Sequence, residues 1–430
     1  MRVVKLTQET QQNILEDLLK RSPNQYTEYE NTVNEIVKAV KENKDNAVFD
    51  YTHKFDKWDI NKDNIRVTKE EIKKAYTLVD EQFIAILKEA ALNIAEFHKK
   101  QLHESWISPK EDGTILGQKI TPIEKVGAYA PGGKAYYPSS VLMNIVPAKV
   151  AGVPKIVLTT PARNDGTVHP ITLVAADIAG VDEIYKIGGA QAIAAMAFGT
   201  ESVPKVDKIT GPGNIFVALA KKACFGYVGI DSIAGPSEIL VVADETANPR
   251  FVAADLLSQA EHDELASAIL ITTSTKLAEE VSKQIDIFTQ ELSRKETIEK
   301  SLDKYGYILV ADTMQDVIDA ANAIASEHVE IMTKDPYEIM TKIKNAGAIF
   351  IGEYSSEPLG DYFAGPNHIL PTNGTARFFS PLNVDDFIKK TSIISYSKEA
   401  LEKVHDKIEY FAKQEQLTAH ANSIAVRFEK

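Results

Sequence analysis

A chain of 430 residues, 44% hydrophobic and 25% charged, is long enough for two or three cored domains and too apolar to remain unfolded. Its 61 acidic side chains against 48 basic ones leave a net charge of -13 with no basic cluster standing apart, which argues against nucleic acid or an anionic membrane as partner. The single cysteine, Cys224, excludes an internal disulfide framework and a thiolate-rich zinc site, and neither a secretory signal nor a membrane span is expected, so a reducing cytoplasm fits.

Residues 7 to about 103 read as helices. Thr68 and Glu71 stand in capping-box spacing, and "EQFIAILKEAALNIAEFHKK" keeps its apolar residues on one stripe. From about 119 the pattern changes to short β-rich runs closed by Gly or Pro, with helical stretches between them. The first series is "KIVLTT" (155–160), "EIYKIG" (183–188), "VDKITG" (206–211) and "EILVVAD" (238–244). The second is "AILITTS" (268–274), "GYILVAD" (306–312), "HVEIMTK" (328–334) and "AIFIGE" (348–353). Strands alternating with helices predict the α/β class, with two units that each own a mostly parallel sheet. After "LPTNGTARFFSPL" (370–382) the sheet pattern stops, and residues 383–430 read as a polar arm with one helix around 398–413. Such an arm is too short to bury a core alone and is expected to pack on another domain or subunit.

Ligands of parallel α/β sheets collect at the carboxyl ends of strands. Three glycine-rich loops fall there: 126–140 with Tyr129, Tyr136 and Tyr137; Gly188-Gly189 leading to Gln191; and Gly211-Pro212-Gly213-Asn214 between a strand and a helix. The last is a tight turn whose free amides suit a phosphate, although plain surface turns look the same. Together they predict a nucleotide crevice. Cys224 closes an apolar helical run and reads as a core thiol.

Titratable groups gather later in the chain. Gln259 and His262, in "LLSQAEHDE", lie three apart on a predicted helix face: half of a metal site, or an ordinary solvated face. Glu327 and His328 set an acid and a base side by side at a helix-to-strand junction. Asp361 and His368 fall in a predicted loop after a strand, and Glu415 and His420 near the C-terminus. His53, His98, His103, His169 and His405 read as hydrogen-bonded or solvated side chains.

Taken together, "VGAYAPGGKAYYPSSVLMNIVPAKVAGV", "GGAQAIAAMAFGT", "ITGPGNIFVA", "IAGPSEILVVAD", "LLSQAEHD", "SEHVEI", "GDYFAGPNHILPTNGTAR" and "EQLTAHANSIAVRF" resemble the histidinol dehydrogenases over nearly the whole chain. The resemblance implies two Rossmann-like units and a C-terminal dimerisation arm. It implies a larger discontinuous domain (31–128 and 240–381), an inserted NAD-binding domain (129–239), an N-terminal helical arm (1–30) and a C-terminal arm (382–430) reaching the partner subunit's site. Gln259, His262, Asp361 and His420 match zinc ligands, one zinc per subunit, the last from the partner of a homodimer. Ser237, His328, His368 and Glu415 match substrate contacts, to which the four ligands add themselves; Tyr129, Gln191 and Asn214 match NAD contacts. Ser326 departs from the Pro often found there.

The implied reaction takes L-histidinol to L-histidine through an aldehyde with two NAD, Glu327 and His328 serving as acid-base pair. A zinc hydrolase built on Glu327-activated water, or a non-catalytic two-lobed binder, are the alternatives. The first leaves the glycine loops without a task, and the second leaves the acid-base pair without one.

Overall fold

A computed structural model describes residues 1–21, 27–132 and 136–429. Among them run fourteen strands: β1 (Arg2–Lys5), β2 (Trp106–Pro109), β3 (Ile115–Pro122), β4 (Lys125–Tyr129), β5 (Lys155–Thr159), β6 (Glu183–Tyr185), β7 (Lys208–Thr210), β8 (Gly229–Ile230), β9 (Glu238–Ala243), β10 (Ser267–Thr272), β11 (Gly306–Val310), β12 (His328–Met332), β13 (Ala348–Ile351) and β14 (Ile388–Ser395). The chain forms two compact units, one of residues 1–101 with 123–387, the other of 102–122 with 388–430. No helix among the described residues is long and apolar enough to cross a membrane.

The first unit holds two parallel sheets. One has the order β1-β11-β10-β9-β12-β13, the other β6-β5-β4-β7-β8. Strands β9, β10 and β12 are buried at every residue, which explains their near-continuous apolar sequence. Alternate residues still face opposite ways: Ile239, Val241 and Ala243 join one core cluster, Leu240 and Val242 another. A third cluster lies on the five-stranded sheet, where Val33, Ile36, Val37 and Val40 of the helix Thr27–Asp56 meet Ile193 and Met196. That helix is kinked at Lys44 (φ 52°), whose ammonium donates to the carbonyl of Gly199 at 2.9 Å. The capping box at Thr68 and Glu71 forms with both bonds in place.

Three expectations need correction. "EILVVAD" belongs with the second series: β9 pairs with β10 and β12, at the centre of the six-stranded sheet. The N-terminus opens with a strand, β1, parallel to β11. The tail does not leave sheet structure behind. In the second unit β14 pairs antiparallel with β3 from Ile388↔Pro122 to Ser395↔Ile115, β2 flanks β3, and three helices follow, Lys398–Glu402, His405–Gln414 and Thr418–Ala425. β2 is exposed throughout and β14 at six of its eight residues, so neither carries the apolar pattern that marks a strand.

Candidate active site and cofactor crevice

Each parallel sheet has its earliest long strand in the middle, with later strands added on both sides, β9 between β10 and β12 and β4 between β5 and β7. Each therefore has a switch point where crossovers diverge. In the six-stranded sheet, however, the titratable residues lie at the amino ends of the strands. Glu238 opens β9, Glu327 directly precedes β12, and His328 opens it. The backbone N–H of Glu238 donates to Glu327 Oε2 at 2.8 Å, and that of Glu327 to Glu238 Oε2 at 3.4 Å. Buried Arg21 pairs with Glu238 Oε1 at 2.5 Å and donates to the carbonyl of Leu265 at 2.7 Å. Gly347 is needed beside this pair, since a Cβ there would sit 2.5 Å from the Glu327 carbonyl oxygen.

His328 Nδ1 lies 2.9 Å from the carbonyl oxygen of Glu238. A carbonyl only accepts, so Nδ1 carries the proton and Nε2 presents a lone pair. Nε2 points toward Glu357 Oε1, 4.0 Å away. Burial pushes the His328 imidazole down to about 4, so it is neutral at physiological pH.

Gln259 sits in the last turn of the helix Pro249–Ala260, and His262 falls in the turn just beyond it, its N–H on the Gln259 carbonyl at 3.2 Å. Asp361 is on the short helix Glu357–Tyr362, where a loop was expected, and Glu357 one turn earlier shares its face. His262, Glu357 and Asp361 offer ligand atoms within 4.8 Å of one another. Gln259 Oε1 and Glu357 Oε1 are buried acceptors without a hydrogen-bond partner among the described residues. Oxygen and imidazole donors, two of the oxygens unpartnered, fit a divalent cation of zinc's borderline character.

Electrostatics agree. Burial drives Glu357 up to about 9, with Asp361 adding to it, and drives Glu327 well above the carboxylate range, with Glu238, Asp361 and Glu357 contributing. Burial would raise Asp361 too, but the hydrogen bond from His368 and the imidazoles of His368, His328 and His262 outweigh it and hold the group at about 2. His368 Nδ1 donates to the Asp361 carbonyl at 3.1 Å, and its Nε2 lies within hydrogen-bond distance of the Ser140 hydroxyl at 3.3 Å. Ser140 is in the first turn of the helix Pro138–Val150, so the segment after β4 ends at this cluster. Ser237 directly precedes Glu238, its carbonyl taken by the Ser267 N–H at 3.0 Å.

The five-stranded sheet uses its carboxyl ends. Tyr129, Gln191 and Asn214 line one cavity of about 820 Å³. Tyr129 is the last residue of β4, and its hydroxyl, pushed up to about 12 by burial, accepts from the Gly189 N–H at 3.2 Å. Gln191 is buried in the helix Gly189–Phe198. Asn214 caps the helix Ile215–Cys224, its Oδ1 accepting from Phe216 and Val217 at 3.0 and 3.2 Å. Gly211 adopts φ +120°, open to glycine, and its N–H donates to Asp231 Oδ2 at 2.8 Å. One amide of that turn, the Gly211 N–H, is thus committed to Asp231. Gly133, Lys134 and Ala135 of the glycine-rich loop 126–140 lie outside the described residues, as do residues 22–26 of the N-terminal arm.

In the second unit Glu415 and His420 line a separate cavity of about 840 Å³ with Phe411 and Ser423. Cys224 is buried and its thiol is pushed up to about 12 by burial, as suits a core residue. Among the remaining histidines, His98 is buried with Nδ1 on the Ile94 carbonyl at 2.7 Å, and His169 caps a helix through Nδ1.

Four residues here escaped the sequence reading: Arg21, Ser140, Glu238 and Glu357. Only Glu357 had a local signal, its four-residue spacing from Asp361.

A family model described as histidinol dehydrogenase matches residues 19–428. The chain is 57% identical over 413 residues to the histidinol dehydrogenase of Clostridium acetobutylicum, covering 96% of this chain and 95% of that relative. It is 56% identical over 422 residues to that of Caldanaerobacter subterraneus subsp. tengcongensis, covering 98% of each. The crystal structure of histidinol dehydrogenase from Elizabethkingia anophelis matches with a TM-score of 0.93 at 39% identity, over 99% of this chain and 98% of that one.

Proposed function

The chain belongs to the histidinol dehydrogenase family of NAD-dependent oxidoreductases, and from that premise we propose that it oxidises L-histidinol to L-histidine through L-histidinaldehyde with two NAD, in the cytoplasm, as the last step of histidine biosynthesis. The observation that carries this reading is the fixed tautomer of His328, whose Nδ1–H is committed to the Glu238 carbonyl. Neutral Nε2 then takes the alcohol proton in the first oxidation. An aldehyde has no hydroxyl to lose, so water adds before the second. Glu327, with Oε2 3.6 Å from His328 Nδ1, takes the proton of that water when ionised. Burial above all, with the neighbouring Glu238, Asp361 and Glu357, opposes that ionisation, and a cation held on Asp361 would offset part of it. His328 acts again on the hydroxyl of the resulting diol.

Gln259, His262, Asp361 and His420 of the partner subunit are the proposed holders of one zinc per subunit, supported by the unpartnered Gln259 oxygen and the convergence of His262 with Asp361. When bound, the metal supplies a fixed point for the imidazole and amino nitrogens of the substrate. Ser237, His368 and Glu415 of the partner subunit are proposed to complete the substrate contacts, and Tyr129, Gln191 and Asn214 those to NAD. The chain is proposed to work as a homodimer with shared sites. Its NAD-binding domain would be 129–239, inserted between 31–128 and 240–381, with arms at 1–30 and 382–430. The five-stranded sheet spans residues 125–230, so its central strand β4 begins just ahead of that boundary, and the helix Thr27–Asp56 from the flanking segment packs on it.

The test is NADH formed from limiting L-histidinol and excess NAD, before and after metal removal and zinc restoration. About two NADH per histidinol, lost with the metal and regained with zinc, is expected. A zinc-loaded protein that forms none would sink the proposal and favour a hydrolase.

A further inference from the structure

One charged group in the crevice has no part in the chemistry above. Asp56 is the last residue of the helix Thr27–Asp56 and lines the same cavity as Tyr129, Gln191 and Asn214. Its Oδ2 is buried and has no hydrogen-bond partner among the described residues. Burial raises the carboxyl to about 6, and the partial negative charge at a helix C-terminus works in the same direction. An acceptor held in this unfavourable position calls for a ligand that brings donors.

We infer that Asp56 accepts hydrogen bonds from the adenosine ribose diol of the dinucleotide, and that this contact makes the crevice select NAD over NADP. The inference deepens the NAD reading of the crevice and stands only if that reading does. Of the parts of a dinucleotide, the phosphates are anionic acceptors and are repelled by a carboxylate. A ribose offers two adjacent hydroxyl donors, which match two carboxylate oxygens. Ile36 and Phe55 line the cavity beside Asp56 and give an adjoining base apolar surface. His328, Asp361 and His368 are absent from that lining, so the non-reacting half of the cofactor belongs here. In that half the 2′-oxygen carries a hydroxyl in NAD and a phosphate in NADP. A phosphate at that position would meet a carboxylate in a partly dry site. The cavity also contains a cation, Arg163, whose guanidinium lies over the Tyr136 ring at 5.6 Å. A 2′-oxygen facing Arg163 would give the opposite preference.

The experiment is titration calorimetry of NAD and NADP into zinc-loaded wild type, Asp56→Asn, Asp56→Ser and Gln191→Ala, with thermal midpoints recorded for each. Wild type is expected to prefer NAD by about a hundredfold, and both Asp56 variants to weaken NAD by about tenfold and narrow the preference by at least that much. Gln191→Ala is expected to weaken both dinucleotides without changing their ratio. Neither Asp56 variant should melt below wild type, since each removes a strained carboxylate. A wild type that prefers NADP, or Asp56 variants with an unchanged ratio while Gln191→Ala weakens binding, overturns the role of Asp56 and leaves the crevice assignment standing. NAD affinity unchanged in all three variants overturns the crevice assignment, and this inference with it.

Discussion

The two parallel sheets of the first unit share a strand plan and put their candidate site residues at opposite ends of it. In the five-stranded sheet Tyr129 ends β4, and the Gly211 turn follows β7, so the crevice opens where strands terminate. In the six-stranded sheet Glu238, Glu327 and His328 stand where β9 and β12 begin. Helices returning from the carboxyl edge explain the difference. The helix Pro249–Ala260 brings Gln259 and His262 back to the amino edge, the helix Gln8–Leu19 brings Arg21, and the helix Met314–Ile324 leads into Glu327. Their C-terminal ends carry partial negative charge, which favours a cation, whereas a helix N-terminus suits an anion. Topology therefore fixes where a crossover divides, and helix polarity decides which edge suits which charge.

The sharpest way to break this comparison is at the amino edge. His328→Asn should lower kcat by about 10²- to 10⁴-fold with NAD affinity intact, because it removes a proton acceptor and nothing in the crevice. Glu327→Gln should still oxidise histidinol once and stall at the aldehyde, giving about one NADH in place of two. His328 also sets a pH signature. Its folded value near 4 lies below the usual 6.5, so the unfolded chain binds more protons in that window, and folding stability falls as pH drops through it. His328→Asn should flatten that part of the stability profile. A variant retaining wild-type kcat would remove the amino edge from the chemistry.

Most of the central strands were legible because burial on both faces leaves a continuous apolar run, as in β9. β2 and β14 were not, because strands exposed on one or both faces keep ordinary surface residues such as Lys389 and Lys390. At the site, Glu327 and His328 declared themselves by adjacency, and Gln259 with His262 by spacing. Bringing them together with Asp361 needed a family resemblance, since 99 residues separate His262 from Asp361 and nothing local joins them. Arg21 and Ser140 gave no local signal at all: Arg21 finds its carboxylate 217 residues away and Ser140 its imidazole 228 away. No motif singles out Asp56, and only its place in the cavity wall draws attention to it.

A smaller effect is expected from Arg21→Met, which leaves Glu238 buried without its cation. Burial already raises that carboxyl even with Arg21 beside it, so the loss should cost about 3–5 kcal/mol, read from the denaturant midpoint. Because Glu238 anchors both Glu327 and His328, kcat should fall as well, by less than in His328→Asn. Adding Glu238→Gln should recover stability without restoring kcat. Recovery of both would mean that the pair serves folding alone.

The smallest effect belongs to the carboxyl edge of the other sheet. Lys221 is buried, pairs with Asp231, and donates to the Gly211 carbonyl at 3.0 Å, while Asp231 accepts the Gly211 N–H at 2.8 Å. The pair thus holds both polar groups of the residue that shapes the turn before Asn214. A Cβ on Gly211 would collide with Tyr129, so the turn has little room to relax elsewhere. Lys221→Met should loosen the turn and raise the KM for NAD by about three- to tenfold, with the change falling on KM and not on kcat. Lys221→Met with Asp231→Leu removes both charges and should regain the stability lost by the single change, yet keep the raised KM, because the Gly211 carbonyl still lacks its donor and the Gly211 amide loses its acceptor as well. If kcat falls and KM holds, the two edges do not divide binding from chemistry, and the division drawn between the sheets fails there.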